Sequence, residues 1–361
     1  MTPATTRRTY LDWMRGLAVL IMIEAHIVDS WTRLADRQSD AFGWSLILGG
    51  FGAPLFLFLA GVAVALSAGS KSRRLGSDAA AARLVERRGL EIFLLAFVFR
   101  VQAWVISRSA ARAMLRVDIL NIMGPSIVAT AVLWRLARSM TSRAIIFALA
   151  TCAFAFATPL VRATALLDPL PDHLEGYLRP IPGITNFSAF PWAAFVPAGA
   201  FLGLFIDRAR TRPAETRVNW WFAIGGAAVA VIAYALSWRP SIYARSNFWT
   251  SSPTFFFLRL GLMTTTIAAV YLWESRPAAG RRWSPMALLG RSSLFIYWIH
   301  VEMVSGLISL PLHKALGLWQ SWLALGIFTV FMLGCAMAKE RVMRWGRTRR
   351  GSAVPGPAPA R

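Results

Sequence analysis

The stretch WSLILGGFGAPLFLFLAGVAVALSA, residues 44–68, contains no ionisable side chain. A helix crossing the hydrocarbon core of a bilayer needs about 20 mostly apolar residues. In lipid a single segment must also satisfy its own backbone polar groups, which a helix does. This stretch therefore predicts a membrane-spanning helix. Working outward, nine further segments of the same kind occur, at 10–30, 89–107, 117–136, 143–161, 189–206, 218–238, 254–273, 285–309 and 316–337. The expected fold is all-α, a polytopic membrane bundle of ten transmembrane helices. It forms a single domain over residues 1–338, followed by a basic, disordered cytoplasmic tail at 339–361.

Composition leads to the same class. Of the 361 residues 56 % are hydrophobic and 16 % charged, against about 45–50 % and about 25 % in soluble domains. No polar stretch is long enough for a soluble domain of its own. The formal charge of +22 would suit nucleic acid, but the basic residues lie between apolar segments and form no single patch. They concentrate in alternate loops (Lys71–Arg88, Arg135–Arg143, Arg208–Arg217, Arg276–Arg282) and in the tail from Lys339. That is the positive-inside pattern, and it puts both termini in the cytoplasm, with those loops against anionic lipid headgroups at about 1 kcal/mol per basic residue. The loop 107–117, with Arg108, Arg112 and Arg116, runs against the rule. Lysine occurs only at 71, 314 and 339, a bias of GC-rich coding that suggests a bacterial inner-membrane protein.

Cys152 and Cys335 both sit in apolar segments, so neither a disulfide framework nor a CxxC metal site is expected. The first segment follows Arg7 and Arg8 as a signal peptide would. It carries Asp12, Arg15, Glu24, His26 and Asp29, however, which mark it as a retained span. Nucleotide-binding, nucleophile-elbow and zinc-protease motifs are missing.

Ionisable groups inside a membrane are costly and mark function by default. Steps of three and four place Asp12, Arg15, Val19, Met22, His26 and Asp29 on one face of the first span, with Glu24 pointing away. His26 and Asp29 are close enough to touch, and a histidine oriented by a carboxylate suits a general base. Asp12 and Arg15 fit either a phosphate site or an interhelical clasp. The ninth span reads LGRSSLFIYWIH, residues 289–300. His300 lies about as far into it as His26 lies into the first, so both imidazoles reach one depth; an interfacial place beside Trp298 is the alternative. Asp118 and Asn121 open the fourth span, and Arg259 sits near the outer end of the eighth. A polar layer of His26, Asp29, Asp118, Asn121, Arg259 and His300 is thus expected. The outer loop 162–188, with Asp168, Asp172, His173, Glu175 and Tyr177, suits sugar hydroxyls or plain solvent.

RRTYLDWMRGLAVLIMIEAHIVDSW (7–31), GGFGAPLFLFLAGVAVALS (49–67), DILNIMG (118–124) and residues 289–300 together resemble the bacterial membrane proteins similar to heparan-alpha-glucosaminide N-acetyltransferase. The ten residues separating Arg15 from His26 also match a first-span pattern of the broader acyltransferase-3 group. The resemblance implies acyl transfer, usually of acetyl from acetyl-CoA or another acyl-CoA, to an extracytoplasmic sugar or glycan. His26 would then be the catalytic histidine, with Asp29 orienting it and His300, Asn121 and Asp118 around the reacting atoms. Arg15, Asp12 and Arg259 would hold the donor, and no metal is expected. A homo-oligomer is compatible with the chain. The competing class is a transporter or a flippase for a small or lipid-linked substrate, since intramembrane charges and broken helices also build midplane transport sites.

Overall fold

A computed structural model describes residues 8–107, 114–276 and 283–351. Arg7, the loop residues Arg108 and Arg112, Arg281 and Arg282, and the tail after Gly351 lie outside the described residues. In chain order the helices are α1 (Thr9–Trp31), α2 (Asp40–Gly49), α3 (Gly52–Leu75), α4 (Asp78–Ser107), α5 (Ile119–Leu136), α6 (Met140–Ala163) and the short α7 (Asp172–Leu178). They continue with α8 (Ala189–Trp192), α9 (Phe195–Arg208), α10 (Arg212–Ser237), α11 (Pro253–Glu274), α12 (Pro285–Arg291), α13 (Ser293–Ser305) and α14 (Leu318–Gly351). Among the described residues there is no strand, only two isolated bridges. The molecule is an all-α, polytopic helical protein.

Helices start where the chain supplies a cap. Thr211, Ser252 and Ser284 each accept a backbone N–H from the first turn of α10, α11 or α12, and each of these helices has proline in that turn. There the missing N–H costs nothing and the fixed φ helps. Gly76, at φ +65°, stands just past the end of α3 in the left-handed conformation that favours glycine.

Among the described residues, eight helical segments are long and apolar enough to cross a membrane. The two other expected spans are helical at the expected places but differ in kind. α1 carries Asp12, Arg15, Glu24 and Asp29, and residues 285–309 break at Ser292 into α12 and α13. The segment 44–68 is likewise interrupted, at Gly50 and Phe51. At the C-terminal end α14 continues to Gly351 where a disordered tail was expected from 339. Lys339, Glu340 and Arg341 are good helix formers, and Glu340 pairs with both Arg344 and Arg291.

The chain divides into two compact units, residues 1–49 with 283–361, and residues 50–282. In the first, α1 packs along α12, α13, α14 and α2. A methyl built on Gly16 would overlap the Met286 carbonyl, and one on Gly290 would overlap that of Asp12, so the two backbones touch only because both positions are glycine. Beyond the end of α1, the Arg33 N–H donates to the Leu316 carbonyl and the Leu316 N–H donates to the Trp31 carbonyl, and the Trp31 indole donates to the Val304 carbonyl at 2.9 Å. In the second unit α3 pairs with α9, α4 with α5 and α10 with α11. Gly61 and Gly199 let α3 and α9 approach to backbone contact.

The outward faces are apolar. Leu90, Leu94, Val98 and Val101 of α4, Trp221, Ile224 and Val231 of α10, and Ile327 and Val330 of α14 are exposed. Surfaces of that kind are ordinarily buried in water-soluble domains, and here they suit lipid. Hydroxyls within the spans bond back to the preceding turn, as Thr130 does to Ser126 and Thr151 to Phe147.

Candidate functional site

α1 is buried on more than one side. Met14, Val19, Ile23 and Ile27 have almost no exposed surface, and Asp12 and Glu24 are also buried. His26 folds its ring back along the helix and bonds the Met22 carbonyl through Nδ1 at 2.7 Å. His300, fully buried in α13, places its own Nδ1 2.9 Å from the carbonyls of both Ile296 and Tyr297. A carbonyl can only accept, so in each neutral ring Nδ1 carries the hydrogen and Nε2 keeps its lone pair. The two rings meet edge to face, with centroids 5.0 Å apart at 81°. The Nε2 of His300 has no hydrogen-bond partner among the described residues. The equal depth read from the sequence thus corresponds to direct contact.

The chain matches, over residues 7–237, the family described as heparan-alpha-glucosaminide N-acetyltransferase, catalytic. It belongs to that family. No curated protein matches the chain. Membership makes the protein a membrane transferase of the acetyltransferase kind and implies acetyl-CoA as co-substrate. The matched region takes in Arg15 and His26 and ends with α10, so His300 lies beyond it.

Asp29 does not take the orienting place expected of it. Its carboxylate pairs with Arg37 at 3.0 Å and is largely exposed, while Arg37 and Lys314 both donate to its carbonyl. Spacing allowed His26 and Asp29 to meet, but His26 finds its acceptor in the helix backbone. Asp29 sits at the helix end, where cations gather on the free carbonyls.

Asp118 and Asn121 are engaged as a helix cap. The Asp118 N–H donates to Asn121 Oδ1 at 3.0 Å, as in a capping box. The Asp118 carboxylate receives Arg100 and Asn186, and the Asn121 amide donates to the Tyr177 hydroxyl at 3.3 Å. The Asp-x-x-Asn spacing before an apolar run was the signal for this role. Burial pushes the Tyr177 phenol above its usual value, partly offset by the Asn121 contact.

Asp118, Asn121 and Arg259 belong to residues 50–282, whereas His26, Asp29 and His300 belong to the other unit. Arg15 pairs with buried Asp12 at 3.4 Å and keeps about a third of its side chain exposed, 35 %. Arg259 stacks on Phe255, 3.9 Å from the ring centre.

Glu24 lies on α1, off the face shared by Asp12, Arg15, His26 and Asp29. It is 1 % exposed, and neither carboxyl oxygen has a partner among the described residues. It faces the Gly49 end of α2, where a methyl in place of the glycine hydrogen would come within 3.0 Å of its Oε2. Its signal was simply a carboxyl in an apolar run. No group of three or more metal-binding side chains occurs among the described residues.

Proposed function

We propose that the protein moves an acyl group, acetyl in particular, from acyl-CoA to a hydroxyl or amine of an extracytoplasmic carbohydrate, with His26 as general base. The observation that carries this reading is the edge-to-face contact of two histidines, each with Nδ1 against a backbone carbonyl, in a chain with four histidines. His26 retains some exposure and His300 none, so His26 is the ring an acceptor can reach.

The co-substrate supplies a thioester carbonyl. As the acceptor oxygen or nitrogen bonds to that carbon, His26 Nε2 takes the acceptor's proton. The carbon–sulfur bond breaks, and the same proton passes from His26 to the departing sulfur, restoring the neutral ring. The Met22 carbonyl holds the Nδ1 hydrogen throughout, the orienting task given to a carboxylate in many histidine bases. His300 packs on the His26 ring edge and fixes its plane.

Arg15 fits a phosphate of the donor. Its guanidinium is a planar fork suited to phosphate oxygens, held by Asp12 and partly open. Arg15 precedes His26 by 11 residues, about 16 Å along a helix, a length an extended pantetheine arm covers. The inner membrane of a bacterium is the setting that the arginine-rich composition suggests.

The decisive experiment is acetyl-CoA binding and acetyl transfer by purified protein in nanodiscs, comparing wild type, Arg15→Ala and His26→Ala. Binding that weakens in Arg15→Ala and survives in His26→Ala, with transfer lost in the latter, is the expected result. Folded protein that binds no acyl-CoA would overturn the proposal in favour of a transporter or flippase. One observation, the unpartnered buried carboxyl of Glu24, favours that second reading, because intramembrane carboxyls mark ion pathways.

A further inference from the structure

Two adjoining cavities lie wholly within residues 50–282, with volumes of about 380 Å³ and about 240 Å³. Arg162, near the end of α6, lines both. Arg179 and Arg245 line the larger, and Arg259 of α11 lines the smaller. The single carboxylate along these walls, Asp168, is bound by Arg179, so the remaining cations are uncompensated there. Arg162 donates to the Phe190 carbonyl at 3.3 Å. The Nε–H groups of Arg162 and Arg259 are buried with no acceptor among the described residues. A buried charged donor without an acceptor is unfavourable, and an oxyanion drawn in beside these guanidinium groups would offset it.

The smaller cavity also has walls that a bare anion does not need. Trp192, Trp249 and Phe255 present aromatic surface, and Asn186 and Thr250 present amide and hydroxyl groups. Aromatic faces pack against the C–H face of a sugar ring, while amides and hydroxyls serve its hydroxyls. Arginine forks read carboxylate and phosphate geometry.

We propose that this cleft binds a sugar bearing a carboxylate or a phosphate, with Arg162 and Arg259 on the anion and the tryptophans on the ring. The same cations would repel a protonated amino sugar. As a binding site it does not depend on the acyl-transfer reading, since binding is measured without turnover.

The test is calorimetric titration of the full chain, in phosphatidylcholine nanodiscs, with glucose 1-phosphate, galacturonate, glucose, glucosamine and inorganic phosphate. Saturable binding of either acidic sugar is expected, at least tenfold tighter than glucose or glucosamine and tighter than inorganic phosphate. It should weaken at least tenfold in Arg162→Gln and Arg259→Gln. Arg245→Gln, at an exposed position, should weaken it several-fold and serves if the buried variants do not fold. Equal binding of glucose, or unchanged affinity in all three variants, would overturn the anion site. Equal affinity for inorganic phosphate would overturn the sugar component. Abolition of binding in nanodiscs containing phosphatidylglycerol would assign the cleft to a lipid phosphate and overturn the proposal.

Discussion

At the scale of single residues, three substitutions separate chemistry from support. His26→Ala is expected to lower the transfer rate by about 10²–10⁴-fold, the usual contribution of a general base, with acetyl-CoA affinity retained; assay of transfer beside donor binding checks both. Asp29→Asn is expected to cost less than about tenfold, because that carboxylate is exposed and serves Arg37 and an exposed pair contributes at most about 1 kcal/mol. A loss comparable to that of His26→Ala would show that Asp29 orients the base after all. Glu24→Leu should keep or raise the melting temperature in detergent, since an unpaired buried carboxyl is costly and a leucine of similar size is not. A marked fall would reveal a partner for Glu24. The two histidines were legible in the sequence because helical rise converts position into depth. Their hydrogen-bond partners were not, because a ring at i and a carboxylate at i+3 can touch without choosing each other. The choice fell to Met22 for His26 and to Arg37 for Asp29.

At the scale of elements, glycine decides how closely helices approach. Gly290 and Gly16 bring α12 onto α1, and α13 follows α12 after the break at Ser292, which carries His300 to His26. Gly290→Ala should force the helices apart at a cost of about 1–3 kcal/mol, as overpacking does. A lower melting temperature with reduced transfer is the expected reading, whereas Gly43→Ala, at a position with open space, serves as the silent control. The motif LGRSSLFIYWIH thus combines a packing glycine with a site histidine, and its sequence alone did not divide those tasks. The capping residues of α10, α11 and α12 were readable from Ser/Thr–Pro patterns. The Asp118–Asn121 cap was equally readable, but polar residues at a span's mouth also look like a binding site.

At the scale of the whole molecule, folding of the first unit depends on joining distant segments of the chain. Asp36 accepts the Leu318 N–H at the start of α14 at 2.8 Å and pairs with Arg33. These contacts, the Leu318 hydrogen bond first, hold its carboxyl below the usual range. A carboxyl with a depressed folded value stabilises the fold above its unfolded value, near 3.9, and that support is lost as pH falls through the folded value. Melting curves between about pH 2 and pH 6 should therefore show an acid-side decline that is shallower in Asp36→Asn, which cannot titrate. Parallel curves for the two proteins would rule this out. The sequence by itself determined the class, an all-α membrane protein of this acetyltransferase family, because long apolar runs have one stable form in lipid and motif spacing survives in linear order. It also located most spans, as apolar runs bounded by charged loops. Tertiary structure alone decided which polar groups meet: His26 with His300, Asp29 with Arg37, Arg162 and Arg259 along one cleft, and Glu24 with no partner among the described residues. Helical periodicity assigns a residue to a face, but the rotation and approach of neighbouring helices, set by glycines and volumes far apart in the chain, choose what that face touches.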